Sequence, residues 1–216
     1  MNETNYTIPA IMFGLYILIV CAALTTVINL PPSDNHKILY AELSGRVTEE
    51  SVKETVKTIT EAGLGDTIVV RIRSEGGYVY AAERVLYAMD HSRARVKVLV
   101  DLYAASAAAY LFSHANDQEV SNNAIILYHR PSKCVKRMVI TMLIPFKEEE
   151  QIVCTKLVDT DNGPLDQETL ALHKKLLKEA LDKHIIDQNE YNRVEKGEDV
   201  EVLGSEINRR IASNSK

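Results

Sequence analysis

The sequence predicts an α/β fold with a largely parallel sheet, preceded by one transmembrane helix. One observation carries the first half of that expectation. Apolar, strand-like runs (Ile38–Leu43, Thr67–Arg73, Val96–Val100, Ala124–Tyr128) alternate with segments of helical periodicity. Such alternation favours parallel strands joined by right-handed crossovers. The second observation is a stretch from Thr7 to Leu30 without a charged residue. It exceeds the roughly 20 residues that a helix needs to cross a bilayer core.

The 216 residues fit one domain plus an appendage, and 46% hydrophobic with 25% charged residues is ordinary globular material. A net charge of −5 offers nothing to a nucleic-acid partner. Short basic clusters such as Lys133–Arg137 read as solvated surface. The three cysteines form neither a disulfide framework nor a zinc spacing, and one lies in the apolar stretch. Reduced, buried thiols are expected, although Cys134 and Cys154 flank one segment symmetrically and could pair in an oxidising compartment.

Residues 1–6 are a tail and 7–30 the anchor. The apolar run is long for a signal-peptide core, and no Lys or Arg precedes it, so an uncleaved single-pass anchor is expected over a cleaved leader. Lys37, on its downstream side, leans the following domain toward the cytoplasm. Residues 31–37, opening on Pro31-Pro32, are a linker, and 38–211 are the domain.

Ile38–Leu43 is its first strand, with Ser44-Gly45 as a turn. Thr48 caps a helix with acidic residues Glu49 and Glu50 in its first turn and Val52, Val56 and Ile59 on one face. Thr67–Arg73 is a second strand, leading through Ser74-Glu75-Gly76-Gly77 into a helix from Tyr78 to Asp90 whose apolar stripe is core. After Val96–Val100, the small-residue cluster Ala104–Ala109 opens a buried helix. Ala124–Tyr128 then ends at His129. His91 and His114 lack partner motifs and read as surface. Residues 132–164 hold two strands, Val139–Ile144 and Ile152–Val158, expected as a hairpin over a cleft or at a subunit contact. A long helix (Asp166–Ile186), a short one carrying Asn192, a last one (Ser205–Ile211) and a polar tail, 212–216, complete the chain.

Ser106 stands where the first-turn amides of a helix are free, so charge developing near its Oγ would be stabilised. Taken alone, a Ser among alanines reads as a packing device rather than a nucleophile. His129 at a strand end supplies the base that a Ser nucleophile needs, if the fold joins the two. A Gly pair at a strand-to-helix junction leaves N–H groups uncovered, the material of an oxyanion hole.

These three segments resemble the motifs of the Clp protease proteolytic subunit, a Clp/crotonase-fold serine peptidase. Ser74-Glu75-Gly76-Gly77 is similar to the family's Ser-Pro-Gly-Gly turn. Leu102-Tyr103-Ala104-Ala105-Ser106 is similar to Gly-x-Ala-Ala-Ser, and Tyr128-His129-Arg130-Pro131 to Ile-His-Gln-Pro. Order and spacing match over about 38–131, with a weaker tail to 207. The resemblance implies repeated ββα units and peptide-bond hydrolysis with Ser106 as nucleophile and His129 as base. Gly77 and Ala107 would be the oxyanion donors, and no metal or cofactor is implied. It also implies polypeptide substrates, a ring-forming homo-oligomer and, for processive members, an ATP-driven unfoldase; this chain has no Walker-type loop, so ATP use would lie in the partner. Glu75, Leu102 and Arg130 depart from the family pattern. The family's third triad member, an Asp, aligns with Asn192, with Asp187 and Asp182 as alternatives. Two rival functions stay open: a Ser–Lys dyad membrane peptidase of the signal-peptide-peptidase-A kind, with Lys133 or Lys136 as base, and a catalytically silent scaffold or binding subunit.

Overall fold

The computed structural model describes residues 36–141, 147–159 and 163–214. The anchor expected at 7–30 lies outside them; among the described residues no helix is long and apolar enough to cross a membrane. Residues from Lys37 onward form one compact unit.

Its centre is a six-stranded sheet of β1 (Ile38–Val47), β2 (Thr67–Gly77), β3 (Arg95–Ala105), β4 (Asp117–Val120), β5 (Ile125–Tyr128) and β8 (Val200–Leu203). The order is β1-β2-β3-β5-β8, with β4 also paired to β3. All pairings are parallel except β5 with β8. Strand alternation fixes what each face meets. Ile68, Val70 and Ile72 of β2 are buried with Val98 and Val100 of β3, while Arg71 between them is exposed. Against the buried face pack α1 (Glu49–Glu61), α2 (Val79–Asp90) and α3 (Ala107–His114), so the family-like alternation is the observed architecture. Thr48 and Ser51 close a capping box on α1.

Several local expectations are corrected. Ser44-Gly45 is no turn: β1 runs on to Val47 through a bulge, with Gly45 at φ 67. Ser74–Gly77 likewise belongs to β2, because Arg46 and Val47 pair with Gly76 and Gly77. The hairpin arms are β6 (Ser132–Thr141) and β7 (Lys147–Lys156), earlier in sequence than the apolar runs suggested, since cross-strand pairing recruits the charged Lys147–Glu150. Cys134 and Cys154, opposite one another in that ladder, are exposed and joined as a disulfide, not reduced and buried. The long helix, α4 (Pro164–Asp182), stops before Ile186 because His184 takes φ 58. Asp187 caps α5 (Gln188–Glu195), and α6 spans Gly204–Asn214. His114 is no bare surface residue: its ring nitrogens lie 2.7 Å from Asp90 and 2.9 Å from Glu179.

Candidate active site

At the junction of β3 and α3 the chain reverses sharply at Ser106, whose φ of 55° and ψ of −125° are costly for a residue with a Cβ. The turn is held from both sides. Ser106 donates its N–H to Leu127 O on β5 (2.9 Å), and its carbonyl accepts from Ala109 (3.0 Å) and Tyr110 (3.3 Å). Its side chain makes no cap bond, so the hydroxyl stays uncommitted at the helix N-terminus. Ala107 and Ala108, the first residues of α3, present amides without an i−4 helical acceptor.

Gly76 is what lets the next strand approach this turn. A Cβ there would lie 2.5 Å from Ala105 O, 2.7 Å from Ser106 Cβ and 3.0 Å from Ala107 N, and its φ is +85°. Buried Ser74 secures the approach: its Oγ donates to Gly45 O at 2.5 Å and accepts from Gly76 N at 3.0 Å. Gly77 lies against Val47 of β1 instead.

His129 follows β5 and faces the same cleft as Ser106 and Ala107. Val79, Ala82 and Leu86 of α2 and Leu172 and Leu176 of α4 line its apolar walls. Beneath lies a buried polar chain in which Tyr110 Oη sits 2.7 Å from His173 Nδ1 and donates to His129 O at 3.4 Å. Burial, with the charge of Arg130 adding to it, pushes His173 down to about 4, so the ring is neutral at pH 7. Arg130, where the family motif has Gln, is buried and donates to Glu195 O (2.9 Å) and Asp159 (3.1 Å), anchoring the segment that carries His129.

Among the described residues no hydrogen bond joins Asn192 to His129. Asn192 is exposed on α5 and accepts from Gln188 at 3.0 Å. Asp187 is spent on capping α5, and Asp182 on Lys178. Lys133 is paired with Asp166 at 2.8 Å. His129 Nδ1 instead lies 2.6 Å from Arg130 O. The acidic residue that the fold does bring up is Asp199. Tyr128 pairs with Val200 at the end of the antiparallel β5–β8 ladder, so His129 and Asp199 are the next residues outward at that end, near enough to interact electrostatically. The hydrogen bond from Lys156 holds the Asp199 carboxyl below its usual range; burial opposes this, and His129 adds a smaller pull. The signal in the sequence was positional: Asp199 stands directly before the Val200-Glu201-Val202 alternation, whereas Asn192 sits a helix earlier.

The family model for Clp protease matches residues 34–158, more than half of the chain. The chain belongs to the Clp protease family. Members of this family are serine-type peptidases that assemble into oligomers and act on polypeptides. The matched segment holds Gly76, Ser106 and His129, and ends before both Asn192 and Asp199. No curated protein matches the chain.

Proposed function

We propose that the protein is a serine endopeptidase in which Ser106 attacks the peptide carbonyl and His129 is the general base. The observation that carries this reading is the strained, uncapped Ser106 at the start of α3, opening into one cleft with His129. With Nδ1–H donated to Arg130 O, Nε2 is the ring nitrogen left to accept a proton, the tautomer a base requires. His129 takes the Ser106 proton as Oγ bonds to the carbonyl carbon. It then returns that proton to the leaving amine, and water hydrolyses the acyl-enzyme by the same route. The developing oxyanion is met by the Ala107 amide and the Gly76-Gly77 backbone. Asp199, in place of Asn192, takes the third position, where its charge stabilises the imidazolium. The apolar cleft walls suit an uncharged side chain on the residue whose carbonyl is attacked.

Residues 7–30 serve in this reading as a single-pass anchor, the chain assembles with copies of itself, and an ATP-driven unfoldase is a candidate partner. The Cys134–Cys154 disulfide favours an oxidising compartment for the domain, against the cytoplasmic lean of Lys37. A Ser–Lys dyad through Lys133 has less support, because Asp166 engages that residue, and the side chain of Lys136 lies outside the described ones. Hydrolysis of unfolded casein tests the function: activity lost on Ser106→Ala supports it, and activity unaffected by Ser106→Ala or absent from folded, assembled protein counts against it.

A further inference from the structure

The two groups that would complete the site stand at the same end of the β5–β8 ladder yet are bonded elsewhere. Asp199 Oδ1 lies 2.7 Å from Lys156 Nζ, which also donates to Gly197 O at 2.6 Å. His129 spends its Nδ1 on Arg130 O. Lys156 is the last residue of β7, two beyond Cys154, and Leu157 N donates to Pro131 O at 2.8 Å, closing the hairpin base onto the segment that carries His129. One ammonium on the hairpin thus holds the carboxylate that stands at the same ladder end as the imidazole. We propose that Lys156 is a positioning residue that competes with His129 for Asp199, so that the base of the β6–β7 hairpin restrains the peptidase in a resting state. This rests on the reading of Ser106 and His129 as nucleophile and base.

The balance is a close one. Lys156 and Asp199 keep 38% and 61% of their side-chain surface exposed, and an exposed ion pair is weak and screened by salt. A rotation of the carboxylate frees Asp199 to accept from His129 Nδ1, and Lys156 keeps Gly197 O as an acceptor. Whatever displaces the hairpin base, whether substrate or a neighbouring subunit, would release it.

The test compares Lys156→Met and Lys156→Arg with the unsubstituted protein, each checked for an unchanged melting profile. Two readouts are taken: the rate of Ser106 labelling by a fluorophosphonate, and the proton NMR signal of His129 Nδ1. Lys156→Met is expected to label about two- to fivefold faster, the factor by which loss of an exposed ion pair moves an equilibrium. Its Nδ1 signal should move downfield as a carboxylate replaces the carbonyl acceptor, and the shift should vanish in Lys156→Met/Asp199→Asn. Lys156→Arg, which keeps the cation, should match the parent. Labelling that proceeds at parental rate with an unmoved signal in Lys156→Met overturns the proposal. No labelling of any form, with the signal still moving, refutes the peptidase reading and leaves the contact standing.

Discussion

At the scale of single residues, Ser106 and Asp199 carry opposite lessons. Ser106 occupies a conformation that its neighbours impose, and its hydroxyl is left for chemistry. Asp199→Asn should lower kcat by roughly 10²–10⁴-fold, because the neutral amide cannot stabilise the imidazolium. Asn192→Ala should leave kcat within about twofold, since among the described residues the exposed amide meets Gln188 rather than the catalytic groups; steady-state hydrolysis of a fluorogenic peptide measures both. Ser106 and His129 were legible because each is marked by its local sequence: an alanine cluster after a strand, and a strand end before Pro131. Asp199 was not, because its position has meaning only once β8 pairs antiparallel with β5. His173 makes a prediction about pH. Its folded value, about 4, lies below the ordinary 6.5, so the unfolded chain binds more protons between those values. The stability this burial reflects is intact above pH 6.5 and falls as pH drops toward 4, by on the order of 3 kcal/mol at most. Chemical denaturation across that window should show the slope in the parent and its loss in His173→Gln.

At the scale of elements, the strand-to-helix junctions do the positioning. Gly76→Ala puts a Cβ within 2.7 Å of Ser106 Cβ at a φ of +85°. It should cost about 1–3 kcal/mol and suppress hydrolysis together with stability, read by thermal melts and peptide assay. The far end of α3 is held by Lys183, whose Nζ donates to the carbonyls of Ser113, His114 and Ala115, each at 2.8 Å. Burial pushes Lys183 down, with Glu179 opposing, and the three carbonyls accept from its ammonium group. Lys183→Met should destabilise the fold by about 1–3 kcal/mol in urea unfolding, as orphaned buried acceptors do. The repeated strand–helix alternation could be read from periodicity alone. The hairpin could be only half read: apolar runs mark strands, but β6 and β7 are set by their pairing with each other, which draws in Lys147–Glu150 against Met138–Thr141. The disulfide was half legible in the same way: Cys134 and Cys154 flank the segment symmetrically, but only the β6–β7 register sets them opposite one another.

For the whole molecule, the parallel sheet brings residues distant in sequence to one cleft, at the carboxyl ends of β3 and β5, where such folds place their ligands. The Cys134–Cys154 bond closes a loop of sequence separation 20, and loops of this size contribute about 3 kcal/mol in the chain-entropy account. Reduction should therefore lower the melting temperature by several degrees, read by calorimetry with and without a dithiol. Activation of the hydroxyl at the start of α3 by the imidazole at the end of β5 can be read from a fluorophosphonate adduct mapped by mass spectrometry. Ser106 alone should be modified, and sharply more slowly in His129→Ala; a fully folded protein that takes up no adduct at Ser106, or takes it up equally fast without His129, would refute that activation.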